Sequence, residues 1–95
     1  MKKMEFLDEV KDIVSEREGQ HGNSIKTHGG IAELWSTYLS EKTGIPVKID
    51  GADVAMMQIL VKVGRFICGQ SNHVDTVLDI AGYAACAGEI MSERQ

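Results

Sequence analysis

The feature that most constrains this chain is an apolar stretch, residues 53–85, that charged side chains interrupt at only a few points. It divides into two segments of helical length, joined by a short polar connection centred on Gln70 and Ser71. A glycine followed by small polar residues is typical of a turn. Helices that are apolar over most of their circumference are buried or pair with another chain. We therefore predict that the two segments fold back on each other as a central antiparallel helical hairpin.

Four ionisable side chains interrupt the hairpin, and their spacing predicts that they meet. With the turn as placed above, antiparallel geometry puts Lys62 opposite Asp79. It puts Arg65 opposite Asp75 and Thr76. Because residues three or four apart share one face of a helix, the two cations and two carboxylates would form one alternating cluster near the turn. Charges in apolar surroundings are costly unless they are paired or used for a function.

Chain length and composition predict a single all-α domain that associates with copies of itself. Its 95 residues are enough for one domain with a modest core. Apolar residues make up 43% of the chain and concentrate in the hairpin. Two broadly apolar helices need more cover than two amphipathic helices provide, so we expect a homo-oligomer.

The charge balance excludes some classes of partner. The formal net charge is −4 and there is no basic run, which argues against a nucleic-acid polymer as partner. A small phosphorylated ligand, held by two or three positive groups, remains compatible with this balance. No apolar stretch is long enough to span a membrane, and no signal peptide opens the sequence. We expect a cytoplasmic protein.

The first half of the chain predicts two amphipathic helices, at about residues 4–17 and 31–43, from apolar residues at helical spacing. Residues 18–30 between them are rich in glycine and are predicted to form a loop. Trp35 lies in the apolar stripe of the second helix. It is either a core anchor or a surface on which a nucleobase stacks at the edge of a pocket.

The predicted loop is a candidate ligand site. A loop of this length inside a compact domain is often functional, and its exposed backbone amides would cradle an anion. His21 and His28 lie within it, and Arg17 directly precedes it. We take these three side chains as candidate ligand contacts. The alternative is that they are exposed side chains without a role.

The hairpin helices are predicted at about residues 51–68 and 73–92 from their capping signals. Asp50 has the position of an N-cap, and Asp53 occupies the third helical position of a capping box. By the same pattern, Asn72 would cap the fourth helix. Asp53 therefore has two interpretations, as a cap or as a ligand of a metal ion.

Several segments together resemble a family of small phage and prophage proteins, catalogued as a domain of unknown function, whose members are often labelled MazG-like nucleotide pyrophosphohydrolases. The segments that carry the resemblance are residues 31–39, Asp53-Val54 with Met56-Met57, Lys62-Val-Gly-Arg65, Asp75, and Asp79-Ile-Ala-Gly-Tyr83. The resemblance implies an all-helical phage protein, MazG-like or of bundle type, with a nucleotide-related role. MazG enzymes bind magnesium through rows of acidic residues on two helices, and this chain does not reproduce that arrangement.

Three functions are compatible with these features. In the first, Lys62 and Arg65 present positive charge to the phosphate of a nucleotide, the glycine-rich loop closes over it, and Trp35 or Tyr83 stacks on the base. A phage would use such a protein to sequester a nucleotide signal of host anti-phage immunity.

In the second, the chain is a Mg²⁺-dependent pyrophosphohydrolase in which Asp53, Asp75 and Asp79 hold the metal. In the third, the charged cluster is an interhelical network that fixes the register of the hairpin, and the chain acts through contacts with other proteins.

Overall fold

The fold is all-helical, as predicted. The computed structural model describes residues 1–69 and 74–93, and no strand occurs among them. The four helices are α1 (Lys3–His21), α2 (Ser24–Thr43), α3 (Gly51–Ile67) and α4 (Val74–Glu93). The predicted turn centre at Gln70 and Ser71, and the predicted cap Asn72, lie outside the described residues. That the chain forms one domain stays a prediction.

Helices α3 and α4 form the centre of the structure, and their mutual contact is the most extensive in the fold. Helix α2 packs mainly on α3, and α1 packs on α4. Val54 and Ala55 are fully buried on α3, while Leu78 and Ile90 are buried on α4. The predicted hairpin is therefore the layer on which the two N-terminal helices rest.

The start of α3 lies unusually close to α2. A Cβ atom at Gly51 would lie 3.3 Å from the Cβ atom of His28 and 3.4 Å from the backbone nitrogen of Gly29. A side chain at this position would require the neighbouring backbone of α2 to shift by a few tenths of an ångström. Glycine here therefore permits the backbone contact that seats His28 against α3.

The prediction of a glycine-rich loop at residues 18–30 is wrong. Helix α1 continues to His21 and α2 begins at Ser24, so that only Gly22 and Asn23 separate them. Gly22 ends α1 with φ of +78°, and the side chain of Asn23 accepts a hydrogen bond from the Ile25 amide as an N-cap. The two glycines within α2 each cost about 1 kcal/mol relative to alanine. Packing of this turn of α2 on α3 offsets that cost, which a sequence pattern does not show.

The predicted capping box at the start of α3 is confirmed. The Asp53 amide donates to Asp50 Oδ1 at 2.9 Å, and the Asp50 amide donates to Asp53 Oδ2 at 2.9 Å. Gly44, with φ of +71°, is the C-cap that ends α2. The capping interpretation of Asp53 thus has a structural basis at this end of α3.

Two serines of α2 hold the connection between α2 and α3. Ser40 Oγ accepts from the Val47 amide at 2.8 Å and donates to the Val47 carbonyl at 3.0 Å. Ser36 Oγ makes the same pair of bonds to Ile49, at 2.9 and 3.3 Å. The extended segment between α2 and α3 therefore hydrogen-bonds to serine hydroxyls. In a sheet, a neighbouring strand would supply these bonds.

We expect Ser40→Ala to lower the free energy of unfolding by about 1–2 kcal/mol, because it leaves two part-buried backbone groups without partners. Thr37→Ala is the matched control. The Thr37 hydroxyl bonds only back to the Glu33 carbonyl within α2, at an exposed site. Urea unfolding followed by circular dichroism measures both variants. Equal losses for the two would contradict a special role for the serine.

Candidate ligand-binding site

The carboxylate of Asp79 joins three helices. Arg17 of α1 donates to Oδ1 at 2.7 Å, and the ammonium of Lys62 on α3 lies 3.0 Å from Oδ2. The side chains of Lys62 and Asp79 are 17% and 20% exposed, whereas that of Arg17 is 47% exposed. The predicted pairing of Lys62 with Asp79 is confirmed, and Arg17 adds a second cation that the hairpin geometry did not anticipate.

The charge of Asp79 depends on these two cations. Burial by itself raises the pKa of the carboxyl group. The hydrogen bonds from Arg17 and Lys62 outweigh burial, and the positive charges of both side chains act in the same direction. The net result is that the pKa of Asp79 lies below its ordinary value.

The second predicted pair does not form. Arg65 and Asp75 are both exposed, and among residues 1–69 and 74–93 no ion pair joins them. The physical reason is access to water, because Arg65 lies in the last turn of α3 and Asp75 in the first turn of α4. Two exposed charges gain little from pairing when water solvates both of them. The predicted four-residue cluster is therefore wrong, and Arg17 takes the place assigned to Arg65.

A cavity of about 360 Å³ lies beside this ion-pair network, mainly between α1, α2 and α4. Four of the candidate ligand contacts line it, namely Arg17, His21, His28 and Tyr83. The other three candidates, Lys62, Arg65 and Trp35, are not among its lining residues. Trp35 is half-buried elsewhere on α2.

His28 and Tyr83 form the inner wall of the cavity. Their rings meet edge to face, with centroids 6.2 Å apart and planes inclined by 63°. His28 is 8% exposed, and its Nδ1 atom is buried without a hydrogen-bond partner. An unpaired buried polar atom costs free energy, so its position beside a cavity calls for a function.

The outer end of the cavity carries one full positive charge, on Arg17, next to the carboxylate of Glu18. Gly22 and Ser24, which line it, stand at the start of α2, where unpaired backbone amides and the helix dipole favour an anion. Arg17 and His21 from the last turns of α1 lie at the same end. One guanidinium nitrogen of Arg17 is used on Asp79. That bond fixes the orientation of the group and leaves its other N–H donors directed elsewhere.

Helical periodicity would have found lining residues that the sequence analysis missed. Val14, Arg17, Glu18 and His21 all line the cavity, at the spacing i, i+3, i+4, i+7 of one helix face. This face was hidden because α1 was predicted to end at residue 17. Gln58, Cys86 and Glu89 were missed as well.

The carboxylates predicted to hold a metal are not brought together. Asp53 lies in the capping box, Asp75 is exposed, and Asp79 is paired with two cations. Across the part of the chain that the structure describes, no three histidine, cysteine, aspartate or glutamate side chains form a cluster of metal-binding size. Two other carboxylates, Glu18 and Glu89, line the cavity itself.

Comparison with known proteins assigns the fold to a family. The family described as Domain of unknown function (DUF6378) matches residues 5–91. The chain belongs to this family. The Gene 55 protein of Mycobacterium phage L5 is 40% identical to this member over 82 residues, which are 85% of this chain and 49% of the phage protein. The Gene 55 protein of Mycobacterium phage D29 is 34% identical over 89 residues, covering 93% and 54% of the two chains.

The comparisons confirm kinship with phage proteins of unknown function, and the MazG label stays a prediction. This DUF6378 member spans about half the length of the two curated relatives. No solved structure matches it significantly. None of the helices described in it is both long and apolar enough to cross a membrane.

We expect Asp79→Asn to lower the free energy of unfolding by about 2 kcal/mol at neutral pH, because it leaves the part-buried ammonium of Lys62 without a counter-charge. Asp75→Asn, four residues earlier on the same helix, is the control. Asp75 is exposed and costs at most about 0.5 kcal/mol when its charge is removed. Chemical unfolding measures both. A loss confined to Asp75→Asn would contradict the assignment.

The stabilisation by Asp79 should depend on pH in one direction. Because the pKa is lower in the folded state, the charged carboxylate stabilises the fold above the unfolded pKa of about 3.9. This contribution is lost as the pH falls through the folded pKa. The difference in unfolding free energy between the unmodified chain and Asp79→Asn should therefore shrink from pH 7 towards strongly acidic pH. A difference that stays constant would contradict the paired carboxylate.

Proposed function

We propose that this protein binds a nucleotide or another phosphorylated small molecule in the cavity between α1, α2 and α4. The observation that carries the proposal is the division of the cavity lining, with the guanidinium of Arg17 and a helix start at one end and the His28–Tyr83 wall at the other. Its volume of about 360 Å³ lies within the range of small-molecule sites, near the lower limit. Such a volume suits one nucleoside unit, not two.

The phosphate would lie at the outer end. Arg17 offers its remaining N–H donors there, and the first amides of α2 add partial positive charge. Lys62 acts indirectly, because it shares Asp79 with Arg17 and so helps to hold the guanidinium in place. It is a positioning residue in this arrangement, not a direct phosphate contact.

The base would lie at the inner end. The ring of Tyr83 offers a stacking surface, and the amide of Gln58 both donates and accepts hydrogen bonds. Nδ1 of His28 would gain a partner if a small rotation of the ring turned it towards the ligand. This gain supports a ligand that carries hydrogen-bonding groups deep in the cavity.

In this proposal Glu18 and Glu89 would bind Mg²⁺, and the three aspartates predicted from the sequence would not. Mg²⁺ is commonly held through one or two carboxylates together with phosphate oxygens. Both glutamates line the same cavity as Arg17. A bound Mg²⁺ would also remove the repulsion between these carboxylates and a phosphate.

The phage kinship supports a use for such binding in infection. A small protein that holds a nucleotide without consuming it would sequester a nucleotide signal of host immunity, which makes the proposed role anti-defensive. A Mg²⁺-dependent pyrophosphohydrolase is the second candidate, favoured by the two carboxylates that line the same cavity. The two differ in whether pyrophosphate is released.

We expect a nucleotide that fits to raise the melting temperature by about 8 °C when present at ten times its dissociation constant. The probes are adenosine and guanosine mono-, di- and triphosphates and cyclic mononucleotides, each with and without MgCl₂. Ala85→Trp should abolish the shift, because Ala85 lines the cavity. Ser92→Trp is the matched control, since it lies seven residues further along the same face of α4 and outside the cavity.

Two further measurements distinguish the two candidate functions. Glu18→Gln combined with Glu89→Gln should remove the part of the shift that depends on MgCl₂. Pyrophosphate release from a triphosphate, measured in the same samples, separates hydrolysis from binding. A chain that no probe stabilises, or that Ala85→Trp leaves equally stabilised, would contradict the proposal.

A further inference from the structure

The chain on its own exposes more surface than a folded monomer of its mass. Its accessible surface is 6931 Å² at a mass of 10.4 kDa, about 1,500 Å² more than the size relation for monomeric proteins gives. Its radius of gyration is 14.8 Å, against about 12 Å expected for a compact chain of this length. Part of the surface that a monomer of this size buries is therefore left open.

Several of the exposed large apolar side chains lie on one side of α3. We define the α3 outer face as Met56, Met57, Leu60, Val61, Gly64 and Ile67. Leu60 is 66% exposed and Ile67 is 76% exposed, although leucine and isoleucine are among the residue types most often buried. These six residues fall within one arc of the helix at about 100° per residue. Lys62 is turned away from this arc towards Asp79.

A glycine in the middle of this face has no explanation within the chain. A Cβ atom at Gly64 would meet nothing within 4 Å, so no neighbouring helix requires glycine there. Glycine in a helix interior costs about 1 kcal/mol relative to alanine. A helix from another molecule that approaches closely at this point gives the glycine its reason.

We propose that the α3 outer face is the interface of a homodimer, in which α3 of one copy packs against α3 of the other near Gly64. The composition of the face fits this occupant. None of its six residues is charged, and the interfaces of permanent homodimers are more apolar than transient contacts between unlike proteins.

The area fits as well. The excess of about 1,500 Å² per chain is of the size that each copy buries in a permanent homodimer, and the α3 outer face would be the centre of that contact. A two-fold arrangement covers the same face on both copies in a single contact, so the assembly closes at two copies. The cavity between α1, α2 and α4 is not part of the α3 outer face, so dimer formation and ligand binding are tested separately.

Light scattering and sedimentation equilibrium on the 95-residue chain test the proposal. We expect a particle of twice the 10.4 kDa chain mass at micromolar concentration. Leu60→Glu should raise the dissociation constant by roughly 100-fold or more, because it places two like charges in an apolar contact. Leu34→Glu is the matched control. Leu34 is 71% exposed, like Leu60, but lies on α2, and its substitution should leave the dimer intact.

A second measurement covers the case in which Leu60→Glu fails to fold. Leu60→Cys, in a chain whose two native cysteines are replaced by serine, should be linked into covalent dimers by a short bis-maleimide reagent. Leu34→Cys should not. A monomeric unmodified chain would overturn the proposal and leave the face to an unlike partner. A dimer that Leu60→Glu leaves unchanged, or that is linked only through Leu34→Cys, would also overturn it.

Discussion

The shared carboxylate of Asp79 is the interaction on which the arrangement of this protein depends. It accepts a hydrogen bond from Arg17 on α1 and pairs with Lys62 on α3 while it belongs to α4. The part-buried carboxylate contacts both of its counter-charges only when all three helices are in register. Breaking the network leaves a cation beside an apolar hairpin, which is costly. The same contact orients the guanidinium at the mouth of the cavity, so the register of the helices and the geometry of the site are linked.

The cavity owes its shape to helix ends, not to a long loop. Helix α1 stops at Gly22, α2 starts within two residues, and the junction brings the positive end of α2 beside Arg17. Close contact at Gly51 then presses His28 inward, where its ring meets Tyr83. Polar and aromatic groups thus converge from three helices. A buried Nδ1 atom without a partner is the kind of local cost that folds retain at sites of function.

The apolar surface of the hairpin is buried on one side and exposed on the other. One side of α3 packs against α4 and α2, and buries Val54 and Ala55 completely. The opposite side leaves Leu60 and Ile67 exposed. Helices α1 and α2 pack on the hairpin without covering this side of α3. The expectation of a second copy therefore rests on exposed apolar surface area, and not on any specific polar contact.

The sequence alone determined the helical class, the start of α3 and the pairing of Lys62 with Asp79. Each of these follows from local chemistry or simple geometry: apolar periodicity, the Asp50–Asp53 capping box, and the register of an antiparallel hairpin. Tertiary structure decided the rest. Glycines at 29 and 30 read as loop residues because local propensity is weak, and packing on α3 made them helical. Arg17 displaced Arg65 because the approach of α1 to α4 is a contact between segments 62 residues apart, which no local pattern encodes.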